Sequence, residues 1–283
     1  FGIGCSFTKH GMCMNIPPGK TMIQATNDSA DINKDYNIDY PIVGDAKLVL
    51  RQMIDACRDI VGQTRQQGQT TAREIKANRD TWLAEWRPKL TDSSVPINPY
   101  RVIWDFMQAI PPGDAIVTHD SGSPRDQIIP FYRSEGARSY LGWGKSHGLG
   151  TGLGLTIGAK LAKPDKVCVN FMGDAAFGMT GLDFETAVRS RLPIITVVLN
   201  NSTMAAETRQ MAASHELFNT RDLGGNYADM GRAMGGYAER IEDPAAVIPA
   251  FQRARRVTEQ EGKAVLLEFI TSSETAASHR RAF

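Results

Sequence analysis

The amino-acid sequence predicts an α/β fold in which helices cover both faces of a parallel sheet. From residue 99 onward, short apolar runs alternate with segments of helical periodicity. Runs such as residues 194–199 are hydrophobic almost throughout, not only at every second position. Strands with that pattern are buried on both faces, as they are in a parallel sheet. The alternation and the continuous apolar strands therefore indicate the same fold class.

The first part of the chain is predicted to contain strands at residues 1–7 and 21–24, the first of them buried. An apolar stripe at helical spacing then predicts a helix; its members are Leu50, Met53, Ile54, Cys57 and Val61. Residues 63–98 are polar and rich in Gln, Arg and Thr, which predicts a linker carrying one helix near Trp82 and Trp86.

The second part of the chain is predicted to alternate between helices and strands. The predicted helices span residues 100–109, the end of a glycine-rich segment (142–158) through 161, 182–189, 227–234 and 244–258. The predicted strands span residues 115–118, 166–172, 194–199, 237–241 and 264–270. Pro111, Pro112 and Gly113 cannot continue a helix and mark the end of the first one.

Composition and charge exclude several classes of function. Lys and Arg number 32 and Asp and Glu 31, so the net charge of +1 gives no overall attraction to nucleic acid or to an anionic membrane. The apolar runs are too short to span a bilayer. The cysteines are scattered and form no CxxC or Cys/His cluster, which predicts neither a zinc site nor a disulfide framework. A reduced, cytoplasmic chain is expected.

Two polar side chains follow the ends of neighbouring predicted strands. Asp174 comes after the strand at 166–172 and Asn201 after the strand at 194–199. Ligands of parallel sheets bind beyond the carboxyl ends of the strands. A carboxylate, an amide oxygen and a loop carbonyl there would suit Mg²⁺, which keeps positions for water and phosphate. Alternatively, Asp174 is a helix N-cap and Asn200–Asn201 a turn, but their joint placement favours a site.

Small residues near these strand ends could admit a phosphate. Gly173, Ala175 and Ala176 would leave backbone N–H groups accessible beside Asp174, and residues 121–123 (Ser-Gly-Ser) follow another strand at the same edge. The glycines of residues 148–154 recur at every second position and never form G-x-G-x-x-G, which disfavours nicotinamide binding. Tight packing of a helix on the sheet would also explain those glycines.

The stretch "GDAAF…NN" resembles the Gly-Asp-x…Asn-Asn signature of thiamine diphosphate enzymes. "GLGTGLGLTIGAKLAKPDK" and "YPIVGDAKLVL" are similar to the acetolactate synthase superfamily, and the resemblance covers nearly the whole chain. It implies that residues 1–62 are the tail of a Rossmann-like middle domain, 63–98 a linker and 99–283 the diphosphate-binding domain. "GDAAFGMTGLDFET" resembles the 2-hydroxyacyl-CoA lyase and oxalyl-CoA decarboxylase branch most.

The resemblance also implies roles for individual residues. Asp174, Asn201 and the carbonyl of Thr203 match the metal ligands. Leu149 stands where Met is more usual, as the apolar support that keeps the two cofactor rings folded towards each other. The other residues implied to contact the cofactor are Ser121, Gly122, Ser123, Gly148, Gly173, Ala175 and Ala176, with Ala175 in place of the usual Gly.

The family's activating Glu belongs to an N-terminal domain that no part of this chain matches. We therefore expect this chain to supply half of an active site, completed across an interface of a homodimer or tetramer. The missing pyrimidine-binding (PYR) half would be a segment of the same enzyme or a separate chain. The sequence also begins at Phe1 without an initiator Met, which agrees with that expectation.

Within this chain, Glu207 is the predicted catalytic residue. It lies just past the metal loop, where the family covers the reactive ring, and a raised pKa would let it transfer a proton to or from substrate. A Glu favoured in the first turn of a helix is the equal alternative. His215 is a weaker candidate. The basic end of the chain, residues 279–281, could pair with coenzyme A phosphates or be a solvated tail.

The expected activity is that of a thiamine diphosphate- and Mg²⁺-dependent lyase or carboligase. The preferred reaction is cleavage of a 2-hydroxyacyl-CoA to an aldehyde or ketone plus formyl-CoA, or its reverse. The alternative is a decarboxylating carboligase of the acetolactate synthase type that acts on 2-keto acids. A non-catalytic assembly subunit is a further alternative, which the intact pair of Asp174 and Asn201 disfavours.

Overall fold

The computed structural model describes residues 1–9, 15–61, 68–142, 148–207 and 211–278, with only the backbone of Glu207. The chain divides into two structural units after Ala84, so that a first unit ends there and a second unit spans Glu85–Ser278. The division into residues 1–62, 63–98 and 99–283 stays a prediction.

The structure has the following helices and strands. The strands are β1 (Gly2–Ile3), β2 (Ile23–Thr26), β3 (Tyr40–Val43), β4 (Ala115–His119), β5 (Tyr140–Leu141), β6 (Val167–Gly173), β7 (Ile194–Asn200), β8 (Tyr237–Ile241) and β9 (Val265–Ile270). The α-helices are α1 (Ala46–Val61), α2 (Gly68–Leu90), α3 (Pro99–Ala109), α4 (Ser123–Ile128), α5 (Thr151–Ala162), α6 (Asp174–Thr180), α7 (Asp183–Arg189), α8 (Ala212–Phe218), α9 (Tyr227–Ala233) and α10 (Val247–Arg256). A π-helical turn (Val257–Glu261) continues α10, and short 3₁₀ turns occupy Ser29–Asp31, Pro112–Asp114, Ala205–Glu207 and Pro244–Ala246.

In the first unit, β1, β2 and β3 form a parallel sheet in that order. The prediction of a buried strand over residues 1–7 is wrong. β1 is two half-buried residues long, because Gly4 and Phe7 adopt positive φ angles that interrupt the extended backbone. The apolar stripe does lie on a helix, α1, but Val49 is the only buried residue of that fully described helix. Its predicted members Leu50, Ile54 and Val61 are exposed.

The polar segment between the predicted units is mostly helical. α2 is 23 residues long and contains Pro88 near its end. Trp86 on this helix packs edge-on against Tyr100 and Phe131, with ring centroids 5.0 and 5.4 Å away. Aromatic edge-to-face packing of this kind makes the end of α2 part of the second unit.

The second unit is built on a parallel sheet with the strand order β5-β4-β6-β7-β9-β8 among the described residues. From β4 the chain turns to β5 on one side and then returns to place β6 on the other side. The order of the strands therefore reverses between β4 and β6. Crevices at such reversals, beyond the carboxyl ends of the strands, are where open α/β sheets bind ligands.

Helices cover both faces of this sheet, as the sequence predicts. On one face, Phe106 of α3 and Phe251 of α10 pack against each other with centroids 5.3 Å apart, and Phe106 also contacts Phe171 of β6. On the other face, the next residue of β6, Met172, belongs to a core cluster that includes Phe177 and Phe184. Because β6 alternates between the two clusters, it is buried on both sides, which explains its nearly continuous apolar sequence.

Candidate cofactor and metal site

A pocket of about 140 Å³ opens beyond the carboxyl ends of the central strands of the second unit. The loops after β4, β6 and β7 and the segment before α5 meet there. The segment after β4 contributes Ser121, Gly122 and Ser123, and the segment before α5 contributes Leu149. The end of β6 and the segment after it contribute Gly173, Asp174, Ala175 and Ala176, and the loop after β7 contributes Asn201 and Thr203. Residues predicted from four separate stretches of sequence therefore share one pocket.

The wall formed by Leu149 is held close to β4 by glycines. Gly150 caps α5 with a φ of 94°, a left-handed conformation that side chains disfavour. Gly152 lies so close to β4 that a Cβ atom there would stand 2.4 Å from the Asn170 Oδ1 and 3.0 Å from the His119 carbonyl oxygen. Tight packing, the alternative explanation for these glycines, is thus a property of the structure, and it brings Leu149 to the pocket.

Asp174 is the first residue of α6 and is buried. The N-cap is Gly173, so the alternative that Asp174 caps the helix is wrong. Its Oδ1 accepts the N–H of Ala175 at 2.8 Å, and its Oδ2 accepts the N–H of Ser202 in the next loop at 2.7 Å. Burial raises the pKa of the Asp174 carboxyl, and these N–H donors oppose the rise only in part.

The loop after β7 is held in a defined conformation. Ser202 has a positive φ of 57°, and its N–H is shared between Asp174 and the Asn200 Oδ1 at 3.0 Å. The Asn201 Oδ1 accepts the N–H of Thr203 at 3.1 Å, which folds the loop back on itself. Thr203 also bridges to Asp222. These bonds place the Asn201 side chain and the Thr203 backbone beside Asp174 in the pocket.

Glu268 of β9 fixes the base of that loop. It is fully buried, and its Oε1 accepts bonds from the Asn200 Nδ2 at 2.7 Å and the Arg240 Nη1 at 3.2 Å. Its Oε2 accepts the N–H of Ala228 in α9 at 2.9 Å. The carboxylate therefore connects the loop after β7 to α9 and β8.

The charge distribution of the pocket fits a metal ion. Among the described residues, no Lys, Arg or His lines the pocket or forms an ion pair with Asp174. The described part of the chain contains no cluster of three His, Cys, Asp or Glu residues that could hold a metal. A metal at Asp174 would therefore need amide and carbonyl oxygens as its other protein ligands. A buried carboxylate without a cationic partner is costly. An oxygen-ligand cation beside Asp174, Asn201 and Thr203 would neutralise it, and backbone N–H groups and serine hydroxyls remain for a phosphate.

Some predicted residues lie outside this grouping. Gly148 is exposed and does not line the pocket. Glu207 ends the 3₁₀ turn after the metal loop, but its side chain lies outside the described residues, so its catalytic role stays a prediction. His215 lies in α8, half-buried, and is not among the lining residues. Residues 279–281 also fall outside the described part.

Sequence reasoning missed other residues of the site. Gln127, Met204 and Thr271 line the pocket, and Asp120 and Glu268 support it from beneath. Asp120 directly follows β4, as Asp174 directly follows β6, so the same strand-end argument could have found it. Glu268 lies inside an apolar strand, where a single carboxylate is the signal of a buried polar contact.

The fold and the site together define a parallel α/β domain that binds a phosphorylated cofactor at the carboxyl edge of its sheet. Residues 120–269 match the family described as thiamine pyrophosphate enzyme, C-terminal TPP binding domain. The chain therefore belongs to the thiamine pyrophosphate-dependent enzymes. Thiamine diphosphate, the predicted cofactor, agrees with this membership, whereas Mg²⁺ stays a prediction.

Curated proteins that resemble the chain include an acetolactate synthase subunit and an acetyltransferase. It is 26% identical to a probable acetolactate synthase large subunit of Methanococcus aeolicus, over 98% of this chain and 47% of the relative. It is also 26% identical to a sulfoacetaldehyde acetyltransferase of Alcaligenes xylosoxydans xylosoxydans, over 96% of this chain and 48% of the relative. The chain thus spans about half the length of these relatives. The closer likeness to 2-hydroxyacyl-CoA lyases stays a prediction.

A solved structure shares the fold. A benzoylformate decarboxylase from Polynucleobacter necessarius superposes with a TM-score of 0.67 at 18% identity, covering 93% of this chain and 46% of that one.

Among the helices that the structure describes, none combines the length and the apolar character that a membrane span requires.

Proposed function

We propose that this chain supplies the metal and diphosphate half of an enzyme that makes or breaks carbon–carbon bonds with thiamine diphosphate and Mg²⁺. The observation that carries the proposal is the convergence of Asp174, Asn201 and Thr203 on one pocket without a cationic side chain among the described residues. When bound, thiamine diphosphate supplies a centre that stabilises the carbanion left by such a bond cleavage.

The protein's own residues hold and orient that cofactor. Asp174, Asn201 and the Thr203 carbonyl hold the cation that neutralises the diphosphate. Ser123 and the backbone of Gly122 face the same pocket and donate to phosphate oxygens. Leu149 packs on the core cluster and presents apolar surface to the cofactor rings, which keeps water from that side.

The remaining half of the site comes from a pyrimidine-binding domain, on a longer form of this chain or on a separate one. The support is that the relatives are about twice as long as the matched region. We propose a homodimer or tetramer in which that domain faces Leu149 across an interface. In the same assembly, Glu207 transfers protons to or from the substrate.

A 2-hydroxyacyl-CoA is one candidate substrate, cleaved to an aldehyde or ketone and formyl-CoA. It is supported by the amino-acid sequence of residues 173–186, which resembles the lyase branch. The second candidate is a 2-keto acid, decarboxylated and joined to a second carbonyl compound. The names of the relatives support it, since they include acetolactate synthases.

Calorimetry with thiamine diphosphate and Mg²⁺ on the complete assembly tests the cofactor site. Asp174→Ala is expected to abolish binding because the cation loses the carboxylate ligand proposed for it, while Asp183→Ala, on the exposed start of α7, serves as the matched control. Undiminished affinity in Asp174→Ala would falsify the metal site.

Product analysis then separates the two substrate classes. Release of formyl-CoA from a 2-hydroxyacyl-CoA supports the lyase, and release of CO₂ from pyruvate supports the decarboxylating carboligase. Glu207→Gln is expected to reduce turnover without changing cofactor affinity; unchanged turnover removes Glu207 from the mechanism. An assembly that binds the cofactor and turns over neither substrate class favours the non-catalytic alternative.

A further inference from the structure

Asp120 is a fully buried carboxylate at the end of β4, and nothing in the proposed chemistry uses it. Its Oδ1 accepts the N–H of Ser121 and the N–H of Gly150, each at 2.8 Å. Its Oδ2 accepts the N–H of Gly152 at 2.9 Å. One side chain therefore holds three backbone donors that belong to two different walls of the pocket.

Two of these donors have no acceptor within their own helix. Gly150 is the N-cap of α5 and Gly152 is in its first turn, where N–H groups lack intrahelical partners. Asp120 supplies those partners from a neighbouring strand, so it caps α5 from outside the helix. Its negative charge also lies at the positive end of a 12-residue helix, which favours the arrangement.

The body of α5 does not depend on Asp120. The Thr118 hydroxyl lies 3.1 Å from the Gly152 carbonyl oxygen and 3.0 Å from the Asn170 Oδ1 and donates its one proton to either of these acceptors. The same hydroxyl bonds to the Thr156 hydroxyl inside the core. Leu153 is fully buried in the core cluster. Loss of Asp120 would therefore loosen the segment just before α5 while the helix stays packed on the sheet.

We propose that Asp120 is a positioning residue that fixes Leu149 and Ser121 relative to each other before the cofactor binds. Leu149 directly precedes Gly150, and Ser121 directly follows Asp120, so the three hydrogen bonds set the distance between the two walls. The inference rests on the proposed function, in which these walls contact thiamine diphosphate. A pocket ordered in advance loses less conformational entropy on binding and binds more tightly.

Asp120→Asn tests this role with little change of shape. An amide can accept through its oxygen but presents N–H₂ to at least one of the three donors, so at least one hydrogen bond is lost. Asp105→Asn is the matched control. Asp105 is also a buried carboxylate, paired with Arg101 at 2.6 Å within α3, and it does not line the pocket.

Amide hydrogen exchange of the cofactor-free protein is the first measurement. In the unmodified protein, Gly150 and Gly152 are expected to exchange slowly although they lie at a helix start. In Asp120→Asn their exchange is expected to rise about tenfold or more, while β6 and β7 keep the rates of the unmodified protein. Fast exchange of both glycines in the unmodified protein overturns the proposal, even if the variant fails to fold.

Cofactor affinity, measured by calorimetry with Mg²⁺ on the complete assembly, is the second. Asp120→Asn is expected to bind thiamine diphosphate about tenfold more weakly than the unmodified protein. Asp105→Asn is expected to bind it with the affinity of the unmodified protein. Unmodified protein that binds no cofactor overturns the proposed function itself. Binding by the unmodified protein with equal affinity in Asp120→Asn overturns only the role of Asp120.

Discussion

At the scale of single residues, the site depends on buried carboxylates with different kinds of partner. Asp174 accepts only backbone N–H groups among the hydrogen bonds found, and burial raises its pKa. Glu268 is as deeply buried but has Arg240, Asn200 and Ala228 as partners. The charge of Glu268 is thus compensated within the protein, whereas that of Asp174 is left for a ligand to compensate.

Replacement of Glu268 by Gln is expected to lower the free energy of unfolding by about 1–3 kcal/mol, because one buried donor loses its acceptor and the charge-assisted bonds weaken. Unfolding in urea measures this change in free energy. The control is Glu185→Gln, which removes an exposed pair with Arg189 and is expected to change stability by less than about 1 kcal/mol. Equal effects of the two substitutions would contradict the role given to Glu268.

The buried side chain of His119 is expected to make the stability of the protein depend on pH. Burial lowers its pKa from 6.5 and the charge of Arg125 lowers it further, whereas Asp120 and Asp126 raise it by smaller amounts. Its ring lies tilted against Tyr140, with the ring centroids 5.4 Å apart. Below pH 6.5 the unfolded chain takes up a proton that the folded protein still excludes. Stability therefore falls as the pH drops from that value towards the lowered pKa, by at most about 1.4 kcal/mol per pH unit for this group.

Unfolding experiments at about pH 7.5 and about pH 5.5 test this sign. The loss of stability on acidification is expected to be smaller in His119→Gln than in the unmodified protein. An equal or larger loss in the variant would show that other groups cause the acid sensitivity.

At the scale of elements, α5 shows how glycines set the depth of the pocket. A Cβ atom at Gly152 would overlap Asn170, which is fully buried and hydrogen-bonded and cannot move aside. A Cβ atom at Gly154 would meet no atom within 4 Å. The same helix therefore offers one glycine that the packing requires and one that it does not.

Gly152→Ala is expected to destabilise the protein by about 1–3 kcal/mol through overpacking and to weaken cofactor binding by displacing Leu149. Gly154→Ala is expected to stabilise it by up to about 1 kcal/mol, since Ala loses less backbone entropy in a helix. Thermal unfolding of both variants checks the difference in sign. If both substitutions changed the stability in the same direction, the close approach of α5 to β4 would not be rigid.

The sequence predicted the elements of the second unit that repeat a strong pattern, and it missed short ones. β6, β7 and β9 are long apolar runs and appear where expected. α4 and α6 are six and seven residues long, too short for helical periodicity to be recognised. The pairing of Asp174 with Asn201 could be predicted because both follow strands. The same argument would have placed Asp120 at the site, but its role could not be predicted, because its three partners are backbone N–H groups.

At the scale of the whole molecule, cofactor binding and stability should be coupled. A ligand that binds only the folded state stabilises it by about 2.7 kcal/mol at a concentration about 100 times its Kd. Thiamine diphosphate with Mg²⁺ is therefore expected to raise the unfolding temperature of the complete assembly, and a chelator to reverse the rise. Nicotinamide adenine dinucleotide is the control ligand and is expected to have no effect. A rise that survives chelation would count against a metal-held diphosphate.

Ser202 carries a lesson for protein engineering. Its N–H is clamped between the side chains of Asp174 and Asn200, in a left-handed bend that serine rarely adopts. Grafting the short loop alone onto another scaffold would discard both clamps. The smallest transplantable cassette is thus the whole β6–β7 crossover, from the strand that delivers Asp174 to the loop that ends at Thr203.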